Sequence, residues 1–289
     1  MLHRARACGA HARYLHANAW IAQLTWVGIR IAPCGKCSTP LWIHMKTHSA
    51  RTAVIVGASS GIGEALTHQL NREGWRLGLL ARRLDRLDGL RQILPADTVV
   101  RRIDVTHDSA AEIFDDVINE LGGVDLVIIS AGAGHNNRDL QWQLDVETIT
   151  VNVLGFMTVA QVAMRHFVKR GRGHLVGVSS IAALRGNGAG AAYAASKAFQ
   201  SVYLDGLRDL ARQTGLPITV TEVQPGAIDT AMLQPERPLT TWARWLFVSS
   251  PAMAAQQIMR AVRKRAKHAY IPKRYAVVAV LLKLLPRAG

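Results

Sequence analysis

The sequence predicts an α/β fold in which one parallel sheet is covered by helices on both faces. Three observations predict it. From residue 53 to residue 271, short apolar runs alternate with segments whose apolar residues recur at helical spacing, the pattern of strand and covering helix in turn. A glycine pattern, Gly57-x3-Gly61-x-Gly63, separates the first run from the first helical segment. The polar residues with chemical potential follow the carboxyl ends of predicted strands or lie on the next helix, where open α/β sheets bind ligands.

Residues 53–56 are an apolar run of the buried-strand type. Residues 62–73 carry Ile62, Ala65, Leu66 and Leu70 at helical spacing, and residues 76–80 form a second strand. Leu84, Leu87 and Leu90 mark another helix. A third strand over 98–103 ends at Asp104, and 110–121 is helical. The fourth strand, 124–129, runs into Ser130-Ala131-Gly132 and is followed by one long helix over about 143–169. The fifth, 175–178, ends at Ser179-Ser180, and the helix bearing Tyr193 runs to about Arg212. The sixth, 218–223, ends at Gln224-Pro225-Gly226; 251–265 is helical and 269–271 is a short last strand. No boundary or internal repeat divides this stretch. Residues 51–272 are therefore read as one domain, preceded by a segment 1–50 and followed by a helix within 273–289.

The chain of 289 residues is long enough for one large domain, and 49% hydrophobic residues exclude a disordered chain. The formal charge of +15 comes from scattered basic residues without a long Lys/Arg run, so it is read as a basic surface and cofactor pocket, and no nucleic-acid partner is expected. All three cysteines, Cys8, Cys34 and Cys37, precede the glycine pattern. The predicted domain thus has no disulfide, consistent with a reducing cytoplasmic compartment. Cys34 and Cys37 have a ligand-like spacing without a second cysteine pair; even with His44 and His48 nearby, no metal site is expected.

Residues 1–50 contain no acidic residue; the first is Glu64. His16, Asn18, Gln23 and Arg30 interrupt the stretch 14–31, which argues against both a signal peptide and a membrane span. An Arg-rich, acid-free composition suits a transit peptide, but serine is scarce. The preferred reading is a misassigned start, with the true one near Met45 and low order before residue 50.

The glycine pattern has a physical purpose. Gly57 permits a tight exit from the strand, Gly61 lets backbone approach a pyrophosphate, and Gly63 lets the helix pack on the sheet, so that free N–H groups at the helix start face negative charge. No Gly-Lys-Ser/Thr follows, which excludes a P-loop. At the end of the second strand, NAD binders place a carboxylate for the ribose hydroxyls. Here Ala81-Arg82-Arg83 stands there, and the nearest acids, Asp85 and Asp88, lie on the following helix. Arg82 matches a 2′-phosphate, so NADP(H) is expected over NAD(H).

Tyr193 and Lys197 lie one helical turn apart on one face. A free phenol, with a pKa of about 10, is a poor acid or base near neutrality. A neighbouring ammonium favours the phenolate and is expected to lower that pKa. Ser180, thirteen residues before the tyrosine, can hydrogen-bond a substrate oxygen and stabilise charge on it.

With these residues in this order, the sequence resembles the classical short-chain dehydrogenase/reductase family over about residues 51–271. The resemblance implies a Rossmann-type doubly wound sheet of about seven strands in the order 3-2-1-4-5-6-7. It places cofactor contacts at Gly57, Ser59, Ser60, Gly61, Ile62 and Gly63, at Arg82 and Arg83, and at Asp104 and Val105 near the adenine. Ala131-Gly132 matches part of the family's Asn-Ala-Gly, with Ser130 in place of the asparagine. Asn152 matches the asparagine that supports a relay water, and Ser180, Tyr193 and Lys197 match the active-site residues, the last two also contacting cofactor. Pro225, Gly226, Ile228 and Thr230 fall in the segment that closes on the nicotinamide.

The implied chemistry is hydride transfer between NADP(H) and the carbonyl or secondary alcohol of a small molecule. Met232, Leu233, Trp242, Trp245, Leu246 and Phe247, in a lid-like stretch 231–250, favour a lipophilic substrate, and residues 185–192 form a small, flexible rim. One alternative is a 3-oxoacyl-thioester reductase whose basic surface meets an acidic acyl carrier; another is a noncatalytic NADP sensor or scaffold, against which the intact Ser180, Tyr193 and Lys197 weigh. By analogy with relatives, a homodimer or homotetramer is expected. The apolar stretch 275–285 is too short to span a bilayer. With the basic residues before it, it suits peripheral membrane contact through residues 273–286, a subunit interface or intramolecular packing.

Overall fold

The computed structural model describes residues 51–233 and 248–284. The expectations for residues 1–50, including the start near Met45 and the Cys34/Cys37 spacing, lie outside the described residues, as do those for Trp242, Trp245, Leu246 and Phe247.

Seven strands form one sheet: β1 (Thr52–Val56), β2 (Arg76–Ala81), β3 (Val99–Arg102), β4 (Leu126–Ile129), β5 (Gly173–Val178), β6 (Ile218–Pro225) and β7 (His268–Ile271). Their spatial order is β3-β2-β1-β4-β5-β6-β7, the expected order, and every pairing is parallel. The central strands are apolar along their whole length because both faces are covered. Ala53 and Ile55 of β1 pack with Leu66 and Leu70 of α1 (Gly61–Arg72), with α2 (Leu84–Arg91) and with α7 (Pro251–Arg263). Val54 and Val56 face the other layer, where α3 (Ala110–Glu120), α5 (Phe156–Arg170) and α6 (Ala191–Gln213) contribute Phe114, Val159 and Leu204. Each such side chain, fully buried, stabilises the fold by roughly 1.5–3 kcal/mol, so the two layers hold the sheet rigid beneath its ligand-binding edge.

Local signals set the helix ends. Ser250 caps α7, its hydroxyl accepting from Met253 N–H at 3.2 Å, with Pro251 in the first turn. Gly171, in the left-handed region, ends α5. Observed boundaries differ from the expected ones by one or two residues at most elements. The long helix differs in kind. It consists of α4 (Trp142–Ile149), a π turn (Thr150–Gly155) and then α5. The run Trp142–Arg170 is long and apolar enough to cross a membrane by length and composition, yet it packs against α3, α6 and the sheet. The last helix, α8 (Tyr275–Leu284), follows β7 and rests on the domain through Tyr275 and Ala279.

Parallel strands bring the ends of β1, β4, β5 and β6 to one edge. Gly57, the segment 130–134, Ser180 and the segment after Pro225 all leave the sheet there.

Candidate active site

The turn after β1 has the shape its glycines require. Gly57 has φ +93°, and a β-carbon on it would meet the Ala131 backbone nitrogen at 2.5 Å; any other residue would break the junction of β1 and β4. Gly63 lies on the Gly57 carbonyl, so α1 starts hard against the turn. Gly61 approaches Thr230, which brings the segment after β6 over the turn. Ser60 stands at the N-cap of α1 without a side-chain bond to the helix. Its hydroxyl is engaged elsewhere, so the first N–H groups of α1 remain donors for an anion.

Arg83 engages that hydroxyl. Its guanidinium donates to Ser60 Oγ at 2.7 Å and to Ser59 Oγ at 3.1 Å. Arg82 points to the neighbouring wall. With Thr106, Val151 and residues of α4 it lines a cavity of about 330 Å³. Of the two arginines at the end of β2, Arg83 is therefore the one over the glycine turn. Asp104 accepts from the Thr106 N–H (3.0 Å) and hydroxyl (2.7 Å). Burial works against its charge, but these bonds and the charge of Arg82 outweigh it and hold the carboxyl below its ordinary pKa. Val105 packs on Gly155 of the π turn. Ile62 lies in the first turn of α1, partly buried against the adjoining core layer. This surface of glycine backbone and open helix N–H groups, with the Arg83 guanidinium over it, suits a dinucleotide.

Ser180, Tyr193, Lys197 and Asn152 come together beside it. The Ser180 hydroxyl hydrogen-bonds the Tyr193 phenol and accepts from Ala182 N–H at 3.1 Å. Lys197 Nζ lies 5.6 Å from the Tyr193 ring centre and donates to the carbonyl of Val178 (3.1 Å) and to Gln200 Oε1 (3.0 Å). Gly132 is close enough that a β-carbon there would lie 3.2 Å from Asn152 Oδ1 and 3.5 Å from Lys197 Nζ. Pro225 ends β6 and Gly226 N–H bonds the Ile271 carbonyl. Ile228 pairs with Ser249, and Thr230 reaches the glycine turn.

Electrostatics corrects one expectation. The ammonium does not bring the phenol's pKa down: burial pushes Tyr193 up, and the bond from Ser180 only partly offsets it. Lys197 is itself fully enclosed, and burial pulls its pKa down to about 7. With its pKa raised by desolvation, the phenol stays protonated at neutral pH.

The sequence reading missed four supports. Gly134 faces the Tyr193 ring, where a β-carbon would stand 2.7 Å from Cδ2. Gln200 joins Lys197 Nζ to the Asn152 carbonyl, to which its Nε2 donates at 2.8 Å. Glu222 holds the strand end before Ser180: Ser179 Oγ donates to it at 2.6 Å, Ser201 Oγ is bonded to the same oxygen, and His268 Nδ1 lies 3.0 Å from the other. Tyr275 of α8 packs on Gly226, and its hydroxyl accepts from Ala227 N–H at 3.2 Å. Glu222 and Gln224, polar at alternate positions of an otherwise buried strand, were the one legible hint.

The amide of Asn152 is a clamp. Nδ2 donates to the Ala133 carbonyl (2.7 Å) and Ser196 Oγ (2.9 Å), while Oδ1 accepts from Ala133 N–H (2.8 Å). Only unused lone pairs on Oδ1 and on its main-chain oxygen are left for a relay water. The rim at 185–192 is folded, not loose: Gly188–Gly190 is a 3₁₀ turn, Asn187 Oδ1 accepts from Gly190 N–H, and the Ala189 carbonyl accepts from Asn137 N–H. Met232 Cε reaches the Gly132 side of the cleft. Among the described residues, no group of His, Cys, Asp and Glu is placed to hold a metal ion.

A family model described as short chain dehydrogenase matches residues 51–240. An uncharacterised oxidoreductase of Myxococcus xanthus is 40% identical over 194 residues, covering 65% of this chain and 76% of that protein. Among solved structures, a short-chain dehydrogenase/reductase of Burkholderia phymatum in complex with NAD aligns with a TM-score of 0.71 at 20% identity, over 85% of this chain and 99% of that one. A short-chain dehydrogenase of Sphingobium yanoikuyae in complex with NADPH aligns with a TM-score of 0.68 at 22% identity, over 83% and 98%.

Proposed function

The chain belongs to the short-chain dehydrogenase/reductase family, and on that premise we propose that it reduces the carbonyl of a lipophilic small molecule with NADPH, or oxidises the corresponding secondary alcohol with NADP. One observation carries the reading: the phenol of Tyr193 is hydrogen-bonded to Ser180, beside Lys197, at the sheet edge where the glycine turn leaves β1.

Bound nicotinamide would supply the hydride. In the reductive direction, as the C=O π pair moves to oxygen on reduction of the carbonyl carbon, Tyr193 would give its proton to that oxygen. A phenol kept protonated by burial suits the donor. Ser180 holds the oxygen, and Lys197, when protonated, stabilises the phenolate left behind. Asn152 and Gln200 fix the backbone and the lysine that frame the reaction. Arg83, with Ser59 and Ser60, would hold the 2′-phosphate, with Arg82 and Asp104 on the adenine side; this supports NADP(H) over NAD(H). That two neighbours of similar fold were solved with NAD and with NADPH makes the preference a matter for measurement. Homo-oligomeric assembly and a cytoplasmic setting belong to the same proposal.

The test is a panel of aldehydes, ketones, secondary alcohols and an acetoacetyl thioester, followed by the absorbance of the reduced cofactor. Tyr193→Phe is expected to abolish turnover and to bind NADPH nearly as the unaltered protein does. Undiminished turnover by that variant would remove the tyrosine from the mechanism. A thioester strongly preferred over simple ketones would reassign the substrate to an acyl carrier.

A further inference from the structure

We propose that α8 docks the enzyme on an anionic lipid surface and sets its cleft against that surface. The face of α8 away from the domain is wholly apolar. Val277, Val280, Leu281 and Leu284 are 65%, 55%, 52% and 76% exposed, and their spacing of i, i+3, i+4 and i+7 places them on one stripe. Tyr275 and Ala279, on the opposite face, are buried. Exposure is therefore confined to a face and is not fraying of a helix end.

The residues that precede the stripe are basic and in line with it. The turn bonds Ala276 N–H to Lys273 carbonyl and Val277 N–H to Arg274 carbonyl continue the helix upstream, so Lys273 and Arg274 stand one turn before Val277 on the same side. Both are exposed, although Arg274 also donates to Ser249 Oγ. Lys283 follows at the far end. From residue 237 to residue 289 the sequence has eleven Lys and Arg and no Asp or Glu. A second copy of the stripe would therefore bring like charges together without a counter-ion from this part of the chain. An anionic lipid surface instead supplies both what the apolar residues and what the cations lack. Four apolar side chains alone bind a bilayer marginally, and the flanking charges provide the second attraction that stable docking requires.

The helix is tied to the cleft. Tyr275 closes on Gly226 and Ala227, and α8 touches the 3₁₀ turn Ile181–Leu184 that follows Ser180. Docking therefore presents the substrate side to the lipid, the source of a lipophilic carbonyl; this last consequence rests on the function proposed above, whereas the docking itself does not.

Flotation of the full chain with vesicles tests it. The protein is expected to float with vesicles of phosphatidylglycerol and phosphatidylcholine and much less with phosphatidylcholine alone. Lys273→Glu should weaken binding about fivefold or more, and the double change Val280→Glu, Leu281→Glu about tenfold or more. Turnover of a water-soluble aldehyde should be unchanged in both variants, so loss of docking and loss of the redox reading are told apart. Absence of flotation with anionic vesicles, equal capture by neutral ones, or undiminished flotation of the double variant would overturn the proposal. A dimer in light scattering that the double variant abolishes would assign the stripe to a second copy of the chain instead.

Discussion

Gly134 lies flat against the ring of Tyr193, with room for a hydrogen and not for a methyl: a β-carbon would stand 2.7 Å from Cδ2 and 3.1 Å from Cε2. Its φ is not in the left-handed region, so the requirement is steric. Gly134→Ala is expected to displace the ring and lower kcat by up to about a hundredfold, as small misplacements of reacting groups do. NADPH affinity, measured by fluorescence titration, should change little, because Gly134 does not face the glycine turn.

Arg83 bridges Ser59 and Ser60, and on the function proposed above it would hold the 2′-phosphate. Arg83→Ala should reduce kcat/KM with NADPH by about tenfold or more and leave that with NADH nearly constant, the size of a lost charge-assisted bond pair. Steady-state kinetics with both cofactors measures the ratio. An equal loss with both would place the guanidinium away from the phosphate.

Asn152 satisfies the N–H and carbonyl of Ala133 at once and is itself fully buried. Asn152→Leu fills the space and leaves both groups without that partner. A loss of roughly 2–3 kcal/mol in urea denaturation is expected, with activity reduced in the fraction that remains folded.

Two groups contribute to the acid limb of stability. Burial pulls His174 down to about 4, and the charge of Arg265 adds to it. The unfolded chain then binds a proton that the folded chain refuses, so stability falls as pH drops from about 6.5 to about 4. Glu222 behaves as a depressed carboxylate. Burial would raise it, but bonds from His268, Ser179, Ser201 and Gln224 hold it down to about 2. Its contribution is present above about 4.5 and is lost as pH falls toward 2. Urea midpoints measured against pH should decline through both windows. Glu222→Gln is expected to flatten the lower one, and His174→Gln the upper one.

Most of the sheet was legible because a strand buried on both faces must be apolar throughout, and runs such as Thr52–Val56 and Leu126–Ile129 carry that signature. The glycine turn and the Ser180, Tyr193, Lys197 set were legible because their chemistry demands particular residue types at particular spacings. The π turn was not. Buried Thr148, Val151, Asn152, Gly155, Phe156, Val159 and Ala160 keep an ordinary helical rhythm straight through it, so no periodicity marks it. Gly134 was silent because a glycine's purpose is set by the ring that later lies on it. The direction of the Tyr193 shift was misread because spacing reveals a neighbouring charge but not the desolvation that opposes it.

The segment that leaves β6 is backed by the last described helix, through one phenol that packs on Gly226 and meets Ala227. The loop after β6 therefore takes its support from a side chain forty-eight residues further along the chain, so that removing the Tyr275 ring would loosen this loop without touching the strand it leaves.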